Sequence, residues 1–307
     1  ARLVVPELEA PRVVPHDGVF DVVPWGETEE PVGIVADLVG AARRAAIGDQ
    51  TWAIFLLQLQ EALPATTFVS ARDLTAALRL VKEPAEVDLL RRSAEAADRV
   101  AARLATHPFA GKTERRLARE VSDMILEEGC ETVGFAIVAS GPNGASPHHE
   151  PDDRVIMPGD SVVIDFGGTI AGYHSDTTRT FHVGEPDAEY QEVYEAVRLA
   201  QAAGVDAVRA GVEAQAVDAV AREVIAAAGY GEFFIHRLGH GIGLDGHEDP
   251  YLVAGNAQPL APGMAFSIEP GIYLPGRFGV RIEDIVVCTE AGADRLNRSP
   301  RELVSVT

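Results

Sequence analysis

Five side chains of types that bind metal ions follow one another in the second half of the sequence: Asp165, Asp176, His240, Glu269 and Glu283. Each lies in a short apolar or glycine-flanked run, which indicates a strand or the end of a strand. An isolated carboxylate is costly to bury among Val, Ile and Phe, so a cation is expected to compensate these acids. Because Lys and Arg are sparse in the same runs, the pattern favours a pair of divalent metal ions and a hydrolase.

Two of these acids are predicted to face each other across a β-hairpin. If the turn of VVIDFGGTIAGYHSDTTRTF is centred on Ile170 and Ala171, Asp165 and Asp176 are directly opposed. Their Cβ atoms would then be about 5 Å apart, a position in which like charges destabilise a sheet. A shared cation would remove this repulsion. The alternative, two solvent-facing acids on an exposed hairpin, is disfavoured by the apolar flanks.

Two of the remaining candidate ligands, His240 and Glu283, have a simpler interpretation when each is considered alone. His240 lies between glycines in HRLGHGIG, where a lone histidine is more often a hydrogen-bonded core residue than a ligand. His236 and His247 lie close by in sequence and favour a site rich in imidazole. Glu283 in GVRIEDIVV could instead form a salt bridge with Arg281 on the same face of the strand.

Taken together, four carboxylates and one imidazole differ from the Cys and His ligands of a closed structural zinc site. They suit two oxygen-preferring ions that share carboxylates about 3.5–4 Å apart. Such a pair can activate water, polarise a carbonyl and hold a free amine. This chemistry indicates amide hydrolysis at the N-terminus of a peptide.

Composition restricts the class of protein further. The 307 residues are 47% hydrophobic, and 26 basic against 47 acidic residues give a net charge of −21. This balance argues against nucleic acid and anionic membranes as partners. Cys130 and Cys288 are too few for a disulfide framework, and no signal peptide or membrane-spanning run is visible. The sequence therefore predicts a soluble cytoplasmic protein.

Two regions of the sequence differ in their pattern of predicted helices and strands. Residues 1–82 mix short apolar runs with helical stretches at 31–46 and 51–62, and they are predicted to form a partial α/β domain with a structural role. Because the sequence opens at Ala1 on an apolar run, we expect that further residues precede it. Residues 83–307 are predicted to form an α+β domain without regular βαβ alternation. Its predicted elements are helices near 83–107, 113–128, 187–209 and 213–228, a strand at 131–140, a hairpin at 160–183, and strands with glycine turns over 233–306.

The sequence resembles the metallopeptidases of the pita-bread fold, specifically the Xaa-Pro peptidases (prolidase and aminopeptidase P). The resemblance covers about 85–307, through SGPNGASPHH, DFGGTIAGYHSDTTRTF, HRLGHGIGLDGHEDPY and EPGIYLPGRFGVRIEDIV. It implies a pita-bread catalytic domain over 83–307 and a partial creatinase-like domain over 1–82. Methionine aminopeptidases share the five ligands but usually lack PHH and VRIED, and creatinase lacks the ligands.

The resemblance also implies how the metal ions are held. Asp165 and Asp176 would bind one ion, with Asp176 bridging, and His240 and Glu269 would bind the other. Glu283 would bridge both ions. The expected cofactors are two divalent metal ions, Mn by preference, with Co, Zn or Fe as alternatives.

By the same resemblance, three further residues would contact the substrate and a fourth would act on the metal ligands. His148 would handle the proton near the leaving amine, and His247 would contact the scissile carbonyl. His236 would line the proline side of the pocket, and Arg281 would orient the carboxylates. Glu269 would accept the proton of the attacking water while remaining a ligand.

These expectations define the function that the sequence predicts. The chain is expected to hydrolyse the bond between an N-terminal residue and proline in a short peptide, as a Xaa-Pro dipeptidase. One alternative is a Xaa-Pro aminopeptidase that acts on longer peptides, and another is a non-catalytic binding protein of the same fold. A homodimer is expected from the resemblance alone.

Overall fold

The computed structural model describes residues 1–307, which divide into two compact units, Ala1–Ala77 and Leu78–Thr307. The sequence places the domain boundary between residues 82 and 83, and that boundary stays a prediction. None of the helices combines the length and the apolar composition that crossing a bilayer requires.

The first unit contains two small parallel sheets. Its only buried hydrophobic side chain is Val32, whose amide donates a hydrogen bond to the Glu30 side chain at a helix start. The helix predicted over 31–46 is shorter, because Gly40 with φ 59° ends it and a strand follows. The elements are β1 (Arg2–Pro6), β2 (Asp21–Trp25), α1 (Pro31–Val39), β3 (Arg44–Ile47), α2 (Ala53–Ala62), β4 (Thr67–Ser70) and α3 (Arg72–Arg79).

Four long helices of the second unit confirm the helices that the sequence predicts there. They are α4 (Pro84–Leu104), α5 (Glu114–Glu127), α6 (Ala188–Ala207) and α7 (Ala214–Ala227). Side chains cap the first turns of α5 and α6: Thr113 accepts from the Arg116 amide at 3.2 Å, and Asp187 accepts from the Tyr190 amide at 2.8 Å. Such caps satisfy amides that the helix itself leaves without partners.

Two mainly antiparallel sheets and a two-stranded ribbon complete this unit. In the first sheet the strand order is β16-β8-β6-β5, with β7 also pairing with β6. In the second sheet the order is β10-β9-β11-β14-β15, and β12 pairs with β13. Their bounds are β5 (Thr132–Ser140), β6 (Ser161–Ile170), β7 (Tyr173–His174), β8 (Thr177–Val183), β9 (Gly239–Gly241), β10 (Glu248–Leu252), β11 (Ala265–Ile268), β12 (Gly271–Leu274), β13 (Phe278–Arg281), β14 (Asp284–Thr289), β15 (Gly292–Arg295) and β16 (Val304–Val306).

The hydrophobic core follows the same two-part arrangement. Helices α4 and α5 pack against the first sheet, with Leu117 and Phe166 fully buried between them. Helices α6 and α7 pack against the second sheet around Val197 and Phe266. Full burial of a side chain of this size contributes about 1.5–3 kcal/mol. The α+β class predicted from the sequence is therefore confirmed.

The register of the β6 hairpin corrects one prediction. The turn is centred on Ala171 and Gly172, which have φ values of 50° and 81°, so it has positive φ at both central residues. Such turns match the twist of the flanking strands. Asp165 consequently pairs with Thr178, and the predicted direct pairing of Asp165 with Asp176 is wrong. A shift of two residues keeps both acids on the same face of the sheet.

Gly239 allows two strands of the second sheet, β9 and β11, to approach each other closely beside the candidate ligand His240. A Cβ atom built on Gly239 would lie 1.9 Å from the Ser267 carbonyl oxygen on the neighbouring strand. The adjacent His240 amide donates to the Ser267 hydroxyl at 3.0 Å. The close approach of β9 and β11 therefore sets where the His240 backbone lies.

We expect Gly239→Ala to lower the free energy of unfolding by at least about 2 kcal/mol, because the backbone of β11 must move away. Gly246→Ala is the matched control, since its Cβ would meet no atom closer than 3.8 Å. Urea unfolding of the metal-free proteins measures both changes. Equal stability of the two variants would contradict the close approach.

Candidate metal centre and active site

The structure brings the five predicted ligands to one cavity of about 410 Å³ in the second unit. Loops and strand ends carry most of them, while Asp165 lies within β6 and His240 within β9. Ligand atoms of Asp176, His240 and Glu283 lie within 4.8 Å of one another, and all three side chains are buried. The His240 Nε2 atom is 3.3 Å from Glu269 Oε1 and 3.5 Å from Asp176 Oδ2.

The electrostatics of this cluster are unfavourable for the protein alone. Burial raises the pKa of Asp176 and of Glu283 well above the usual range, and the neighbouring carboxylates raise both further. Burial likewise raises the pKa of Glu269 to about 7. The Arg281 guanidinium opposes these shifts but does not cancel them. Four acids facing one buried arginine therefore need additional positive charge.

His240 presents a lone pair to these acids. Its Nδ1 atom lies 3.1 Å from the Gly241 carbonyl oxygen, which can only accept, so Nδ1 carries the proton. Burial, followed by the nearby His247, lowers the pKa of His240 to about 3, so the ring is neutral. The unprotonated Nε2 thus faces carboxylate oxygens of Asp176 and Glu269. Acceptors that converge without a donor fit a cation between them.

The hydrogen bonding of Asp165 also indicates a cation site. Its Oδ2 atom accepts from Arg281 at 2.7 Å, whereas its Oδ1 atom is buried and has no hydrogen-bond partner. A buried carboxylate oxygen without a donor costs free energy unless an ion binds it. The donor set, four carboxylates and one imidazole, therefore fits divalent cations.

Arg281 is committed to holding this arrangement. It is buried and donates to Asp165 Oδ2, to the Thr178 hydroxyl at 3.0 Å and to the Tyr273 hydroxyl at 3.0 Å. Glu283 accepts instead from the Thr178 hydroxyl, at 2.7 Å. The alternative of a simple Arg281–Glu283 salt bridge is therefore not what the structure contains.

Three predicted histidines line the same cavity: His148, His236 and His247. The His236 Nδ1 atom donates to the Arg237 carbonyl at 2.7 Å, and its Nε2 atom accepts from the Tyr273 hydroxyl at 2.8 Å. Burial, followed by the Arg281 charge, lowers the pKa of His236 to about 4. The His247 ring stacks on the His240 ring with centroids 3.8 Å apart.

Sequence reasoning missed the residues that hold the backbone around Glu283. The Arg179 side chain donates to the Glu283 carbonyl oxygen at 2.6 Å and to Asp284 Oδ1 at 2.6 Å. Both Arg179 and Asp284 are buried. Their runs, TTRTF and RIEDI, contain charges among apolar residues, and that composition was the available signal.

A buried acid that the sequence did not single out organises the loop before the cavity. Glu114, at the start of α5, is fully buried and accepts from the Ser140 amide and hydroxyl, both at 2.6 Å. It also accepts from Asn143 at 3.1 Å and contacts His149 Nε2 at 2.8 Å. His149 is therefore engaged with Glu114, while the preceding His148 lines the cavity.

Comparisons with known proteins agree with this site. Metallopeptidase family M24 matches residues 88–290, and the creatinase/prolidase N-terminal domain matches residues 1–81. The probable dipeptidase PepE of Mycobacterium tuberculosis is 50% identical over 287 residues, which cover 93% of this chain and 76% of that protein. The Xaa-Pro dipeptidase of Pyrococcus furiosus is 42% identical over 238 residues, covering 77% and 68%. The crystal structure of a prolidase from Thermococcus sibiricus has a TM-score of 0.94 at 40% identity, covering 99% and 84%.

The chain therefore belongs to metallopeptidase family M24, and the predicted resemblance to pita-bread metallopeptidases is confirmed. It is an enzyme of the hydrolase class that acts on peptides. Family membership implies the use of divalent metal ions, in agreement with the carboxylate and histidine cluster.

The raised carboxyl pKa values predict how the metal-free protein responds to pH. Such a group stabilises the fold below its unfolded pKa, and the contribution is lost as pH rises through the folded pKa. Glu269 loses its contribution up to about pH 7, and Asp176 and Glu283 continue in the same direction. His236 and His240 act oppositely only below their unfolded value of 6.5. Urea unfolding should therefore show stability falling as pH rises above 6.5, where the two histidines no longer contribute, by up to about 1.4 kcal/mol per pH unit for each proton released.

Two controls belong to this measurement. Saturating Mn²⁺ should remove the slope, because the cation compensates the ionised carboxylates. Asp176→Asn should flatten the slope in the metal-free protein, since one titrating acid is absent. Stability that rises as pH increases above 6.5 without metal would contradict the assignment.

Proposed function

We propose that this enzyme hydrolyses the peptide bond between an N-terminal residue and a following proline, as a Xaa-Pro dipeptidase. The observation that carries the proposal is the convergence of five ligand side chains and three histidines on one cavity. Relatives named as Xaa-Pro dipeptidases support the proline specificity. A Xaa-Pro aminopeptidase would use the same centre and differ in the length of its substrate.

An apolar part of the cavity would accommodate the proline of the substrate. Phe135, Ile137 and Pro147 provide an apolar wall beside the polar ligands. Proline has no N–H and a rigid ring, so recognition must come from packing and not from an amide hydrogen bond. His236, held by Tyr273, would border the same side.

We propose the ligand assignment that the resemblance implies: Asp165 and Asp176 would hold one ion, with Asp176 bridging, His240 and Glu269 would hold the other, and Glu283 would bridge both. The chemistry that two divalent ions supply when bound is a lowered pKa of a water molecule and polarisation of the scissile carbonyl. We propose Mn²⁺ as the ion, with Co²⁺, Zn²⁺ or Fe²⁺ as alternatives, because oxygen-rich sites accept several metals.

The chain's own residues would carry the proton transfers. Glu269, which accepts a hydrogen bond from the Ser267 hydroxyl at 2.9 Å, would take the proton of the attacking water. His247 would donate a hydrogen bond to the carbonyl oxygen as negative charge develops there. His148 would return a proton to the proline nitrogen as it leaves. Arg281 would act through Asp165, whose carboxylate it orients.

We also propose a catalytic domain, a cellular location and an oligomeric state. All candidate site residues lie within 83–307, which we propose as the catalytic domain. Cys130 and Cys288 are buried free thiols, which is compatible with a reducing cytoplasm. We propose a homodimer on family resemblance, and sedimentation equilibrium of the purified protein would test it.

Removal of metal should abolish hydrolysis of a Xaa-Pro dipeptide, and addition of Mn²⁺ or Co²⁺ should restore it. Asp176→Ala should lower kcat/KM by at least about 1000-fold, because several kcal/mol of transition-state stabilisation depend on the metal pair. Asp206→Asn, an exposed acid on α6, is the matched control and should keep full activity. Full activity of Asp176→Ala after verified metal removal would contradict the proposal.

A further inference from the structure

Two arginines line the catalytic cavity, and they differ in whether their charge is already paired. Arg281 is buried and forms an ion pair with Asp165 at 2.7 Å. Arg237 is exposed, lines the cavity and forms no ion pair or hydrogen bond through its guanidinium. Its guanidinium carbon lies 4.4 Å from the centroid of the Tyr251 ring. The cavity thus contains one exposed cation that forms no ion pair, although its charge opposes the burial that raises the pKa of Glu269.

The backbone of Arg237 is held next to the candidate ligands by neighbouring contacts. Its carbonyl oxygen accepts the hydrogen bond from His236 Nδ1 at 2.7 Å, and its chain continues directly into β9 and His240. Its charge reaches the reacting groups as well: after burial, which is the larger cause, Arg237 lowers the pKa of His247. The Tyr251 ring covers one face of the guanidinium and leaves its nitrogen atoms available at the edge.

Charge balance indicates what this cation would bind. Four carboxylates and two divalent ions cancel formally, so the metal centre itself offers little net attraction to an anionic substrate. A Xaa-Pro dipeptide carries a free carboxylate on its proline, whereas a longer peptide carries a neutral amide at that position. Guanidinium groups bind carboxylates through two parallel hydrogen bonds, with strength and directionality that an amide does not match.

We propose that Arg237 binds the terminal carboxylate of a Xaa-Pro dipeptide and thereby makes the enzyme prefer dipeptides to longer peptides. This inference rests on the proposed function, and it names a specificity residue for that reaction. Arg237 contacts substrate away from the scissile bond, so its loss should raise KM more than it lowers kcat.

The test compares three substrates on the Mn²⁺-loaded enzyme: Ala-Pro, its amide Ala-Pro-NH2, and Ala-Pro-Ala. The wild type should prefer Ala-Pro. Arg237→Gln should lower kcat/KM for Ala-Pro by about 10- to 100-fold, the range expected for one charged hydrogen-bonding contact, mainly through KM. It should leave kcat/KM for Ala-Pro-NH2 unchanged, and Arg237→Lys should recover part of the loss.

Arg209→Gln is the matched control, because Arg209 is exposed, has no ion pair and does not line the cavity. It should behave as wild type on all three substrates. Metal content and thermal midpoint of each variant show whether the fold and the centre are intact.

Two results would overturn the inference, and they differ from failure of the proposed function. Equal loss on Ala-Pro and Ala-Pro-NH2 in Arg237→Gln would show that Arg237 acts on structure and not on the carboxylate. Equal wild-type activity on Ala-Pro and Ala-Pro-NH2 would show that the carboxylate is not recognised. Hydrolysis of none of the three by folded, metal-loaded wild type would contradict the proposed function itself, and the inference with it.

Discussion

The repulsion among four carboxylates in one buried cavity is the constraint on which the rest of the site depends. Asp176 and Glu283 are almost inaccessible to water, and the paired Arg281 supplies a single compensating charge. Burial disfavours the charged forms, and proximity of like charges adds to that cost. Bound divalent cations convert the same arrangement from unfavourable to favourable. Metal binding should therefore stabilise the fold of this region.

The fold meets this constraint by drawing ligands from two sheets. The first sheet contributes Asp165, and the loop before β8 contributes Asp176, while the second sheet contributes His240. Close backbone approach at Gly239 and the buried Arg179 fix the parts of the chain that carry the remaining ligands. Hydrogen bonds to the side chains of Asp165, His240, Glu269 and Glu283 leave these ligands few other orientations. Such preorganisation is what a two-metal hydrolase needs.

Much of the site could be predicted from sequence, because its donor types lie in short runs with unusual composition. The hairpin register could not, since it depends on Ala171 adopting a positive φ that non-glycine residues rarely accept. Glu114 resembled an ordinary acid at a helix start, and its role depends on Ser140 and Asn143, which are distant in sequence. Arg237 was also missed, because the sequence does not show that its guanidinium forms no ion pair in the folded cavity.

The central claim is that the clustered carboxylates hold two divalent ions. Metal analysis of protein dialysed against Mn²⁺ and then freed of excess ion tests it most directly. Wild type should retain about two equivalents, and Asp176→Asn or Glu283→Gln should retain about one or fewer, because each removes a ligand that we propose both ions share. Less than one equivalent in folded wild type, or undiminished retention in both variants, would contradict the account.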